Sequence, residues 1–473
     1  MTPAGSATEL HALFDAQHQA SRRQIEVPLA LRRERLRRVG ELLNRHTAAL
    51  AAAVQADFGV RSPQLTEVAD LFMLHALLGQ LQRQLPRWMK PQRVATPFYL
   101  LPARAHILRQ PLGVVGVIAP WNYPLQLALG PAATALAAGN RVMLKPSEIT
   151  PQTSALLAQL VRQYFAADEF CVLTGGVELA RDFASLPFDH LFFTGSTSVG
   201  RAVAEAAARN LTPTTLELGG KSPCIVDASC DLADAALKIA HGKLLNAGQT
   251  CIAPDYVLLP RGREAAFERA FSAAVARLFP VLAGNPDYAS IISDRQHARL
   301  LSLLAQAQAQ GARLVPMAPA ETDGVNLRQM NPVLVFDPPP GLRLLDEEIF
   351  GPILPVLPYD SLAQAIDAIN ARARPLALYW FGRDHAARDR VLRQTVSGGV
   401  TVNDTLLHVA HENLPFGGVG HSGWGAYHGE TGFLRFTQQK PVLLQSRWAL
   451  GRLFYPPYGA RLARLLGLLK RWL

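Results

Sequence analysis

From Pro111 to about Ser397, short apolar runs alternate with stretches of helical periodicity, and no other feature constrains the fold as strongly. Val114–Ile118, Arg141–Leu144, Phe170–Leu173 and His190–Phe193 each read as a strand of four or five residues, mostly apolar and so buried on both faces. Gln126–Ala138, closed by Gly139, Pro151–Phe165 and Val199–Arg209 read as the helices between them. A strand–helix–strand rhythm predicts an α/β fold with parallel sheets covered on both faces. At 473 residues the chain has room for two or three domains. It has no fixed-period repeat, low-complexity tract or Gly/Ser linker, so those domains are expected to pack tightly. The first 90 residues read as helical, with Pro28 opening a long helix over Leu29–Asp57. Thr96–Gln110 interrupts that texture with prolines and β-formers, as an extended excursion would.

Composition excludes several classes. Hydrophobic residues make up 49%, too many for global disorder. Four cysteines are too sparse for a disulfide scaffold and point to a reducing, cytoplasmic setting. Met1–Arg22 lacks the pattern of a secretory signal. The apolar stretch 111–145 is broken by Pro120, Pro124, Gly130, Pro131 and Gly139, a poor match to a membrane span. The net charge is +10, but the basic residues are scattered, as on a solvated surface, so no nucleic-acid partner is expected; nor is a metal site. The tail stands apart. After Pro456 and Pro457, Leu462, Leu465, Leu466, Leu469, Trp472 and Leu473 form one stripe opposite Arg461, Arg464, Lys470 and Arg471. A basic amphipathic helix of this kind packs on protein, its own or a partner's, or lies on a membrane surface, and both readings stay open.

The chemistry-bearing candidates are loops at strand ends. Cys251 follows Gly248-Gln249-Thr250, a setting that can expose a sulfur and offer the cysteine's own N–H to an oxyanion; alone it also fits a small core residue. Glu217, between Leu216 and Leu218 and thirty-four residues before Cys251, suits a partly desolvated general base or a capping residue. Asn122, held in Pro120-Trp121-Asn122-Tyr123-Pro124, could offer an amide N–H to a developing oxyanion or simply stabilise a turn. Phe193-Thr194-Gly195-Ser196-Thr197-Ser198-Val199-Gly200 fits a phosphate-binding strand-to-helix turn or an ordinary N-cap. Lys145 and Glu148 fit ribose contacts or an exposed ion pair. Glu348 and Phe350 fit cofactor contacts or an acidic turn.

Taken together these segments resemble the aldehyde dehydrogenase family. PWNYP at 120–124, KPSE at 145–148, FTGSTSVG at 193–200, LELGGKSP at 216–223, GQTC at 248–251, EEIFGP at 347–352 and PFGGVGHSGWG at 415–425 occur in the family's order. GQTCIAPDY, NLPFGGVG and YHG at 427–429 make the resemblance closest to the class-3-like branch, and within it to bacterial coniferyl aldehyde dehydrogenases, with fatty aldehyde dehydrogenases as neighbours.

The resemblance implies Cys251 as nucleophile, Glu217 as the base that activates water, and Asn122 as oxyanion donor. It implies Trp121, Lys145, Glu148, Gly195, Ser196, Gly200, Glu348 and Phe350 around NAD, with NADP left open. It implies a Rossmann-like cofactor domain (1–88 and 108–216), a catalytic α/β domain (217–398), a bridging arm (89–107 and 399–440) that pairs across a homodimer, and the tail 441–473. Tyr123, Phe72, Met73 and 405–411 are expected to line the pocket for the aldehyde.

Overall fold

The structure, a computed structural model, describes residues 7–318 and 328–471. Two parallel sheets form its body. The six-stranded sheet runs in the order Gly423–Trp424, Thr214–Leu218, His190–Gly195, Val114–Ile118, Arg141–Lys145 and Phe170–Val172. Only the short outer strand Gly423–Trp424 is antiparallel. The seven-stranded sheet runs Arg313–Pro316, Val333–Phe336, Ile353–Tyr359, Tyr256–Pro260, Pro223–Val226, Ala377–Phe381 and Gly399–Val402, with only the first strand antiparallel. The strands are buried where the sequence is continuously apolar: every residue of Val114–Ile118 and Ala377–Phe381 lies inside. The helix Gln126–Ala137 is buried along almost its whole length, which explains its lack of a polar face. The long helix Leu29–Phe58 packs beside it.

Two expected boundaries move. The strand Thr214–Leu218 carries Glu217 within the six-stranded sheet, so the passage to the second sheet is Gly219–Ser222 rather than the step from 216 to 217. The arm is a three-stranded antiparallel sheet of Gln92–Val94, Arg104–Pro111 and Thr437–Leu444. Most of 399–436 does not belong to it. Gly399–Val402 extends the seven-stranded sheet by pairing with Ala377–Trp380, and Gly423–Trp424 returns to pair with Leu216 and Glu217. The segment between closes over the site instead of reaching outward.

The helix of the tail spans Ala460–Leu469, and none of its residues is buried. The preceding turn Leu450–Phe454 touches the turn Phe98–Leu100 beside the arm. Trp472 and Leu473 of the expected stripe lie outside the described residues. Among the described residues no helix is long and apolar enough to cross a membrane.

Candidate active site

A cavity of about 910 Å³ opens at the C-terminal ends of the strands of the six-stranded sheet, where parallel α/β sheets place their ligands. Pro120–Tyr123 enter it after Val114–Ile118, Thr194–Ser198 after His190–Gly195, and Glu217–Gly219 from the end of Thr214–Leu218. Cys251 reaches it from the opposite side, on a coil after the helix Leu232–Leu244.

The coil is tightly wound. Asn246, Ala247 and Gly248 have φ of 51°, 53° and 77°, and a Cβ at Gly248 would overlap the Gly351 carbonyl, so only glycine fits there. Side chains hold this shape. Gln249 donates to the carbonyls of Asn246 and Ser290, both at 3.0 Å, and accepts from the Ile292 N–H at 2.9 Å. Asn122 Nδ2 donates to the Gln249 carbonyl at 3.1 Å, and Asn246 Nδ2 donates to the Asn122 carbonyl at 3.0 Å. Asn122 is thus oriented by the same coil that presents Cys251.

Below this lies an ion pair that inspection of the sequence missed. Arg61 donates to Asp70 Oδ2 at 2.7 Å, and neither side chain is exposed. Arg61 also donates to the Asn122 carbonyl at 2.6 Å and to Asn246 Oδ1 at 3.2 Å, while Asp70 Oδ1 accepts the N–H groups of Leu125 and Gln126. One buried pair ties together the PWNYP turn, the helix after it and the cysteine coil. In sequence both residues look like ordinary charges on a helical surface. The π-turn Glu67–Leu71, which carries Asp70 inward, is the only local signal, and it is conformational.

Three of the acids that line the cavity are shifted by burial. Burial, followed by the nearby carboxyls of Glu348 and Glu217, pushes the Cys251 thiol up to about 12, and the N–H groups of Cys251 and Ile252 pull it partway back. Burial holds Glu217 well above the usual carboxyl range against the opposing Arg435, and neither of its oxygens has a hydrogen-bond partner. Burial and Asp255 push Glu348 to about 8. Glu348 Oε2 lies against Gly219, where a Cβ would overlap it.

Of the expected cofactor residues, Trp121, Gly195, Ser196, Glu348 and Phe350 line the cavity. The Trp121 and Phe350 rings meet edge to face at 5.3 Å. Ser196 caps the helix Thr197–Ala208 by accepting from the Val199 N–H. Lys145, Glu148 and Gly200 do not line it. Lys145 donates to Glu148 at 2.9 Å just past the end of Arg141–Lys145. A Cβ at Gly200 would strike Leu218, so this glycine lets the helix lie close on its strand.

The sequence profile of the aldehyde dehydrogenase family matches residues 1–442. The chain belongs to the aldehyde dehydrogenase family. It is 48% identical over 459 residues to the probable coniferyl aldehyde dehydrogenase of Pseudomonas aeruginosa, covering 97% of this chain and 95% of the relative. It is 46% identical over 466 residues to the coniferyl aldehyde dehydrogenase of Pseudomonas sp. strain HR199, covering 98% and 96%. The solved substrate-bound state of Staphylococcus aureus AldH superposes with a TM-score of 0.92 at 35% identity, covering 97% of this chain and 99% of that one. This aldehyde dehydrogenase is therefore an oxidoreductase acting on aldehydes. Its cavity is largely apolar and is also lined by Val68, Leu127 and residues of the loop 404–410. Tyr123 and Met73 line it as expected; Phe72 does not and is 63% exposed. From 405–411, Thr405, Leu406, Leu407, Val409 and Ala410 face it, whereas His408 turns away and hydrogen-bonds Thr401.

Proposed function

We propose that this aldehyde dehydrogenase oxidises coniferyl aldehyde to ferulate through a thioester on Cys251. The observation that carries the reading is the meeting of Cys251, Glu217 and Asn122 on one largely apolar cavity. The identity to two coniferyl aldehyde dehydrogenases over nearly the whole chain supports the substrate.

The Cys251 thiolate adds to the aldehyde carbon. Asn122 has one amide proton committed to Gln249 and a second for the oxyanion, alongside the Cys251 N–H. A donor of this kind stabilises such a charge by about 3–4 kcal/mol. NAD, when bound, accepts the hydride, and NADP is the alternative. Glu217 then takes a proton from the water that hydrolyses the thioester. The cofactor side fits a dinucleotide. Gly195 lines it beside the N-terminus of Thr197–Ala208, and Thr194 Oγ1 is buried there without a partner. Trp121, Ser196, Glu348 and Phe350 would hold the group, with Lys145 and Glu148 reaching its outer end and Gly200 giving room. Initial rates with coniferaldehyde, benzaldehyde and decanal, each with NAD and NADP, test the reading. A clear preference for decanal overturns the substrate, and an acyl-CoA product formed only with CoA overturns hydrolysis.

The arm would pair two copies as a homodimer. Thr437–Leu444 is an open edge strand with Leu443 and Leu444 about half exposed. Light scattering that returns a monomer mass refutes this. The tail would lie on an anionic membrane surface. Residues 431–473 contain eight Lys and Arg and no Asp or Glu, and Trp448, Tyr455 and Tyr458 are each about 70% exposed. Co-sedimentation with anionic but not zwitterionic vesicles is expected; no binding to either refutes it.

A further inference from the structure

The apolar part of the cavity lining includes Val68, Met73, Leu127, Leu245, Leu407 and Val409. Two titratable groups interrupt it, His241 and Asp404. The other polar groups there are engaged. Thr405 Oγ1 donates to the Lys238 carbonyl at 3.0 Å, and Gln126 hydrogen-bonds Tyr427. Asp404 Oδ1 accepts the Thr405 N–H at 2.7 Å, which leaves Oδ2 without a partner among the described residues. Neither ring nitrogen of His241 has one among them either.

The fold brings the two together. The helix Leu232–Leu244 presses on the 404–405 loop at Lys238, which accepts from Thr405, and at Gly242, where a Cβ would overlap Thr405. Lys238, His241 and Gly242 are spaced three and four residues apart, so they share one helix face. His241 lies one turn after Lys238 on this helix, and it and Asp404 both line the cavity. An unbranched alkyl aldehyde would leave both polar groups unmatched. An aryl aldehyde with oxygen substituents on its ring would match both: a phenol donates to the Asp404 carboxylate, and a ring oxygen accepts from a His241 N–H.

We infer that His241 and Asp404 form a polar clamp that selects aldehydes carrying a hydroxylated aromatic ring at the end remote from the carbonyl. This deepens, and rests on, the coniferyl aldehyde reading. A site that hydrogen-bonds a substrate hydroxyl discriminates against the analogue lacking it, because its own groups are then left unpaired. Both residues keep some access to water, so the discrimination is modest, about tenfold, as for one charge-assisted hydrogen bond.

The test compares coniferaldehyde with cinnamaldehyde, which shares the phenylpropenal skeleton and has neither ring oxygen. Ratios of kcat/KM are measured for the wild type, His241→Leu, the near-isosteric Asp404→Asn and the double variant, with melting temperatures to confirm folding. The expected result is a wild-type ratio near ten that falls toward one in the double variant, chiefly through KM for coniferaldehyde. An unchanged ratio in folded variants overturns the clamp, as does an equal loss on both substrates. A wild-type enzyme that leaves coniferaldehyde unoxidised but turns over decanal fails at the earlier step, the substrate itself.

Discussion

Replacing Glu217 by glutamine separates the two halves of the reaction. Neither carboxyl oxygen has a hydrogen-bond partner among the described residues and burial favours the uncharged form, so the amide is a replacement of nearly the same shape. Folding should survive. Removing a positioned base costs about 10²–10⁴ in rate, or roughly 3–5 kcal/mol of barrier. That loss falls on thioester hydrolysis, because thiolate attack does not use Glu217. Stopped-flow measurement should therefore show a burst of NADH close to one per active site, then a steady rate reduced by that factor.

The pH dependence of stability gives an independent reading. A carboxyl whose pKa is raised by folding keeps its proton in the native state after the unfolded chain has lost it. The native state then binds more protons, and stability falls as pH rises above the ordinary carboxyl range, by up to about 1.4 kcal/mol per pH unit. The glutamine variant loses this slope, so it should equal or exceed the wild type in melting temperature at about pH 8. A variant with no burst and no steady turnover, or one with wild-type turnover, would refute the assignment of Glu217 as the hydrolytic base.

Further outcomes follow from the same geometry. Cys251→Ala should abolish turnover and leave NAD binding by fluorescence titration intact; measurable oxidation of aldehyde would remove the covalent route. Arg61→Leu should destabilise the fold by about 3–5 kcal/mol in chemical denaturation, because it strands the buried Asp70 carboxylate. A loss under 1 kcal/mol would mean the pair is not the tie described. Gly219→Ala should raise KM for NAD several-fold while the protein stays folded, since the added methyl displaces the mobile end of Glu348 rather than backbone. An unchanged KM would separate Glu348 from cofactor binding.

The parts of this molecule legible in the sequence were those with local causes. Val114–Ile118 is a continuous apolar run because both faces are covered, and a run of that kind identifies itself. Cys251, Glu217 and Asn122 became candidates because their motifs occur together; singly, each had an ordinary structural explanation. What escaped was long-range pairing. Gly399–Val402 reads equally well as arm or sheet until its partner Ala377–Trp380 is known. Arg61 and Asp70 are nine residues apart, yet their importance comes from Asn122 and Asn246, which no local pattern connects to them. His241 and Asp404 lie far apart in the chain, and only the fold brings both to the lining of one cavity.

In the proposed mechanism, the effect of burial on Cys251 and Glu217 fits the two groups to one largely apolar cavity. The Glu217 carboxyl, if ionised, pushes the Cys251 thiol further up, so a thiolate and a carboxylate together are the least favourable charge state there. The chemistry never asks for both. In the proposed reaction, while Cys251 carries the charge and attacks, burial favours the neutral form of Glu217. Once the sulfur is bound in a thioester it carries no charge, and the field opposing Glu217 ionisation weakens just when a base is needed. The same burial that makes each group a poor acid alone therefore orders their use in time. Alkylation of Cys251 by iodoacetamide, followed across pH, should accordingly be faster in Glu217→Gln than in wild type wherever Glu217 ionises, because its charge raises the thiol. Equal rates at every pH would show that the two groups do not sense one another.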